Sequence, residues 1–181
     1  PALMSAFIGG VVFNLANILI VAAVDIAGMS VAFPVGIGLA LVIGVVKNYV
    51  AVPVGNPGVL FTGVALVVLA IAVNAVAYSR LPSSTGKTPV KGIVLSIAGG
   101  VLMGFFYRYV AAALAADLHN PAPGMLTPYT ALVIFAAGLL ASNFVFNTFI
   151  MLKPLSGQPV PPGDYFAKGD SRLHLIGIAG G

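Results

Sequence analysis

Apolar and polar positions alternate along this chain in long blocks rather than residue by residue. Five apolar runs stand out, over 2–25, 29–51, 58–79, 92–116 and 128–152, and a sixth begins near Leu173. Each long run holds about 20–26 residues, enough at about 1.5 Å per residue to cross a hydrocarbon layer of about 30 Å. Backbone amides and carbonyls have no water to bond in lipid, so the runs are expected to be helices. Period-two alternation is absent, which argues against a barrel. The expected fold class is all-α: a polytopic transmembrane helical bundle, with residues 1–181 forming one transmembrane domain.

The connections carry turn chemistry. "DIAGM" is so short that the first two spans must form a tight antiparallel pair. "VPVGNPG" at 52–58 and "LHNPAPGMLTP" at 118–128 are rich in Pro and Gly, which punctuate helices. Residues 153–172 form the longest polar stretch and are expected to be a mobile loop.

Composition strengthens the membrane reading. The chain is 60% hydrophobic and 7% charged, with a mean hydropathy of +1.10; a soluble domain carries about 25% charged residues. There is no Glu, and the acids are Asp25, Asp117, Asp164 and Asp170. Asp25 and Asp117 fall near span ends and read as boundary residues, with Asp25 the better candidate for carrying a proton. The net charge of +4 is scattered, which gives no reason to expect nucleic acid as a partner. There is no Cys, and the two His residues, His119 and His174, lie in loops or at span edges. No metal cluster, triad or carboxylate pair can be assembled, so neither an enzyme nor a metal or cofactor site is expected.

The basic residues set an orientation. The connections after the first, third and fifth spans lie on one side, which carries Arg80, Lys87, Lys91, Lys153, Lys168 and Arg172; Lys47 stands on the other and Arg108 lies within a span. Loops 80–91 and 153–172 are therefore expected in the cytoplasm, with the protein a multi-pass component of the cytoplasmic membrane. The first of these loops contains Gly86-Lys87-Thr88, the end of a phosphate-binding loop. The first glycine of that motif is replaced by Leu81, no strand precedes it, and Pro89 follows at once, so the segment reads as a topology-fixing basic loop rather than a nucleotide cradle.

Two kinds of residue inside the spans carry a signal. Small residues recur every four positions at Ala32, Gly36, Ala40 and Gly44 in the second span, and at Gly92, Ser96, Gly100 and Gly104 in the fourth. Such stripes let helices approach closely in lipid. Pro34 with Gly36 and Gly38 can also kink or unwind a helix and expose backbone groups to a solute. Polar groups form the second kind. Asn14 and Asn17 share one face near the middle of the first span; Asn74 lies in the third; Asn143 and Asn147 are four apart in the fifth. An amide in lipid is costly unless paired. Two roles fit Asn14 and Asn17: hydrogen bonds between helices, or lining a cavity for an uncharged polar solute. Asn74 fits the packing role better. Arg108 lies about 16 residues past Gly92, roughly 24 Å along the helix. It reads either as a snorkelling cation between Tyr107 and Tyr109 or as a cation facing a substrate carbonyl or carboxylate.

Longer blocks carry a family resemblance. "IGGVVFNLANILIVAAVDIAGMSVAFPVGIGLALVIG", "KGIVLSIAGGVLMGFFYRYVAA", "LTPYTALVIFAAGLLASNFVFNTFIM" and "RLHLIGIAGG" resemble the bacterial relatives of the ureide permeases. That group lies near the glucose and rhamnose uptake branches of the drug/metabolite transporter superfamily. The resemblance implies ten helices in two inverted five-helix repeats, of which this chain would hold the third to seventh and the start of the eighth. "AFIGG" (6–10) and "GIAGG" (177–181) would be equivalent starts of the third and eighth. The chain is accordingly expected to be a fragment of a longer transporter.

The expected function is secondary active transport of a small polar metabolite, such as a ureide or sugar, by alternating access. A proton or sodium ion would supply the coupling and the lipid bilayer the surroundings, and a homodimer is possible. Asn14, Asn17, Gly36 and Gly38, with Arg108 and Asn143, are the candidate substrate-binding residues. The alternatives are a drug or metabolite exporter of the same superfamily, disfavoured by the missing Glu, and a non-transporting membrane scaffold.

Overall fold

The computed structural model describes residues 1–79, 90–117 and 120–180. The Gly86-Lys87-Thr88 loop, Arg80 and His119 therefore lie outside the described residues. The helices are α1 (Ala2–Ala27), α2 (Met29–Ala51), α3 (Pro57–Ser79), α4 (Val90–Ala111), α5 (Pro128–Leu152), α6 (Pro162–Ala167) and α7 (Ser171–Gly180). The protein is an all-α helical bundle, and the first five helices are long and apolar enough to cross a membrane. The chain divides into two compact units, Pro1–Asn143 and Phe144–Gly181.

In the first unit a single residue joins α1 to α2. Gly28 has φ 83, its N–H bonds the Val24 carbonyl at 2.9 Å, and its own carbonyl accepts from Val31 and Ala32. A side chain at that φ would be strained, which is why a glycine closes one helix and opens the next. α2 is continuous through Pro34. Of the two roles open to Pro34, Gly36 and Gly38, local unwinding does not occur: the proline withholds one N–H, and the rest of the helix stays continuous.

α4 lies between α1 and α2 and contacts both. Adjacent glycines make this possible. A Cβ on Gly99 would stand 2.7 Å from the Ile20 side chain and 3.0 Å from the Ala16 carbonyl on α1; one on Gly100 would press on the Gly36 backbone of α2. Neighbouring residues project about 100° apart on a helix, so one glycine serves each partner. Along α1 the contacts run backwards on α4, with Gly92 at Ala27 and Gly9 at Tyr109 and Val110; along α2 they run forwards, with Gly36 at Ser96 and Gly104 at Ala40 and Ile43. α4 is thus antiparallel to α1 and parallel to α2. α5 closes on α1 through Gly10 and Gly138, whose missing side chains admit the backbone at Phe135 and Phe7. Phe13, Phe106 and Phe135 meet edge-on where α1, α4 and α5 come together, at centroid distances of 5.0 Å and 5.5 Å from Phe13. α3 packs on α2, with Ile71 against Gly38 and Phe61 edge-on to Tyr49 at 5.4 Å.

Two segments differ from the expectations. The fourth span was expected to run to residue 116, yet α4 ends at Ala111. Beyond it Ala113 and Ala115 exchange backbone bonds of 2.9 Å with Leu126, and Ala113, Ala115 and Leu126 are buried. These bonds replace the helical ladder, and alanines are small enough to be buried in either conformation. The stretch 153–172, expected to be a mobile loop, contains α6. In this second unit the Val160 N–H bonds the Met151 carbonyl at 2.8 Å, and Lys168 pairs with Asp164 at 2.7 Å one turn apart. That pair is largely exposed on the lysine side and contributes little to stability.

Candidate functional site

The candidate residues separate into packing positions and a cleft. Asn14 is a packing position. It is 4% exposed, and its Nδ2 donates to Ser142 Oγ at 3.0 Å and to the Leu139 carbonyl at 3.4 Å. Ser142 Oγ in turn donates to the Leu139 carbonyl at 3.0 Å. The side chain thus ties α1 to α5. Gly36 is buried against Ser96 and Gly100, and Gly38 is filled by Ile71. Ala32, Ala40, Gly92 and Ser96 are likewise buried between helices, while Gly44 is half-buried with Gly104 its nearest neighbour. Ser96 satisfies its hydroxyl on the Gly92 carbonyl at 2.9 Å.

Asn17 is exposed on the outside of α1, on the face that continues through Val21 and Asp25. Asn74 is exposed on α3, and Asn143 is half-buried on α5. Asn14, Asn17, Gly36, Gly38 and Asn143 do not line any described cavity. Asn14→Ala is therefore expected to weaken the α1–α5 contact by about 0.6–2 kcal/mol. Reversible unfolding in mixed micelles measures this, with Asn17→Ala as the comparison; an equal loss for Asn17→Ala would contradict the assignment.

Arg108 belongs to the cleft. It lines a cavity of about 620 Å³ together with Lys47, Asn48, Tyr49 and Tyr107. Val52, Val54 and Leu60 form part of its apolar wall. The geometry follows from the α2–α4 crossing. Gly44 and Gly104 face each other there, a Gly44 Cβ lying 3.9 Å from the Gly104 carbonyl. About one turn further on, Lys47 leaves α2 and Arg108 leaves α4. Because the two helices run parallel, both cations emerge at the same end of the bundle. The start of α3 supplies the remaining wall through Leu60. The Asn56 side chain accepts from the Gly58 and Val59 N–H groups at 2.8 Å and 3.4 Å, fixing that helix start.

Lys47 and Arg108 are both exposed within this cleft. Lys47 Nζ stands 4.9 Å from the centre of the Phe105 ring, a cation–π contact that leaves its N–H donors usable. The Arg108 guanidinium has no hydrogen-bond or ion-pair partner among the described residues. No acidic residue lines the cavity. The two cations sit near the C-terminal ends of their helices, where each macrodipole amounts to about half a negative charge, and this steadies them without cancelling them.

Sequence reasoning singled out Arg108 with Tyr107 beside it and missed Lys47, Asn48 and Tyr49 as its companions. A signal was present: each cation lies one turn beyond the last glycine of a small-residue stripe, Gly44 before Lys47 and Gly104 before Arg108. Two further cavities carry less. One, of about 260 Å³, is apolar and lined by residues including Phe106, Leu114 and Phe135; the other lies in the second unit beside Asp164, Lys168 and His174. Among the described residues no cluster of His, Asp or Glu could hold a metal ion. No protein-family model, no curated protein and no solved structure matches this chain.

Proposed function

We propose that the protein carrying this chain is a membrane permease that moves a small polar solute, of the ureide or sugar class, by alternating access. The observation that carries the reading is the cleft at one end of the bundle. It brings two cations, an amide and two phenols together in a chain that is only 7% charged. A scaffold built only from small-residue packing has no use for such a cleft, and an amine exporter would need an acid there. The resemblance to ureide permease relatives supports the same class. The excess of Lys and Arg at the opposite loops argues for an outward-facing cleft, the first polar surface a solute would meet. Coupling is to a proton or sodium gradient.

Uptake into proteoliposomes tests this reading. Labelled allantoin, glucose and an organic cation are offered under an imposed proton or sodium gradient. Accumulation of the ureide or the sugar that collapses when an ionophore dissipates the gradient is expected. Absence of gradient-dependent uptake for all three, or preference for the organic cation, would contradict it.

A further inference from the structure

We infer that the cleft recognises an oxyanion, a carboxylate or phosphate group, held between Lys47 and Arg108. The inference deepens the permease reading and rests on it only for what happens to the ligand after binding. Its basis is the donor set. Lys47 brings an ammonium and Arg108 a planar guanidinium fork suited to two oxygens of one group. Both project into the same cavity of about 620 Å³, no acid lines it, and neither cation is ion-paired among the described residues. Asn48, Tyr49 and Tyr107 add neutral donors beside them. Val52, Val54 and Leu60 add an apolar wall against which the body of a solute can rest.

The charge balance agrees. Two full positive charges face the C-terminal ends of α2 and α4 and the N-terminal end of α3. The helix ends contribute about half a charge each, two negative and one positive, so the cleft stays strongly positive. A neutral ureide or sugar would leave both cations without a counter-charge, so the proposed class narrows to a ureide or sugar that bears a carboxylate or phosphate. A solute with one anionic group and a polar body uses the cations and the neutral donors together.

An oxyanion at this depth has two sources, a dissolved solute or the phosphate of a lipid headgroup, since cations beside tyrosines are common at a membrane interface. The experiment separates them. Purified protein in neutral detergent is titrated with inorganic phosphate and with acetate against sodium chloride at equal ionic strength. In parallel, retention of phosphatidylglycerol is compared with that of diacylglycerol, which lacks the phosphate, by native mass spectrometry. The protein is used unaltered, as Lys47→Gln/Arg108→Gln, and as Lys91→Gln, a cation outside the cleft. Circular dichroism confirms equal helix content in each.

Binding of phosphate or acetate identifies a dissolved oxyanion, and retention of phosphatidylglycerol alone identifies a headgroup. In either case removing one of the two charges is expected to weaken binding about tenfold, so the double variant falls about a hundredfold while Lys91→Gln is unchanged. Absence of binding in both arms, or equal binding by the double variant, would overturn the inference. Anion binding without gradient-dependent uptake of any solute would leave the inference standing and sink the permease reading. Uptake without anion binding would do the reverse.

Discussion

Gly100→Val is expected to force α2 and α4 apart. A Cβ at Gly100 would lie 3.1 Å from both the Cα and the carbonyl carbon of Gly36, with the Gly36 oxygen closer still. Those atoms are backbone and cannot rotate away as a side chain would. The neighbouring contacts leave no slack: a Cβ on Gly36 would stand 3.2 Å from the Ser96 carbonyl, and one on Gly104 would stand 2.7 Å from Ile43. Sliding α4 towards α1 is blocked as well, because Gly99 already admits Ile20. Apolar side chains gain nothing by leaving lipid for one another, so close packing is the main source of cohesion here. Overpacking typically costs about 1–3 kcal/mol, and a backbone collision on a helix held from two sides belongs at the upper end, about 3 kcal/mol. Gly63→Val is the matched control, since nothing lies within 4 Å of its added Cβ, and its effect should stay within about 0.5 kcal/mol. Reversible unfolding in mixed micelles measures both. Equal losses would mean that the α2–α4 crossing is not where the bundle is held.

The membrane-length helices were legible because lipid leaves the backbone few choices and the breakers are unambiguous. Pro57 and Pro128 open α3 and α5, and Gly28 joins α1 to α2. The end of α4 was not legible. Ala112–Ala116 is as apolar as the helix before it, and the chain leaves the helix through turn bonds from Ala113 to Val110 and from Leu114 to Ala111 before pairing with Leu126. The small-residue stripes could be read as surfaces for close approach, but not assigned to partners. Which helix meets Gly36 and which meets Gly99 depends on the angle at which α4 enters between α1 and α2.

The amides show the same limit. Periodicity places Asn14 and Asn17 on adjoining parts of α1. It cannot show that α5 brings Ser142 to one of them and leaves the other exposed. The cleft was the least legible feature. Lys47 and Arg108 are far apart in sequence, and nothing local says that α2 and α4 are parallel neighbours. Without that, their similar offsets from Gly44 and Gly104 have no meaning.

Modifying the cleft should stop transport. These 181 residues contain no Cys, so in a protein cleared of any Cys elsewhere Asn48→Cys places a single reactive thiol in the cleft wall. Ala122→Cys does the same at an exposed position in the connection before α5. Neither side chain contributes to a described interhelical hydrogen bond, so both variants should fold; Ala122→Cys should transport normally, and Asn48→Cys, which loses one neutral donor of the cleft, at a reduced but measurable rate before modification. A bulky, membrane-impermeant thiol reagent applied from outside should label both. Labelled Asn48→Cys should then lose most of its uptake, saturating solute should slow that labelling, and labelled Ala122→Cys should transport at its unmodified rate. Full labelling of Asn48→Cys with uptake unchanged would contradict the claim that the solute passes through this cleft.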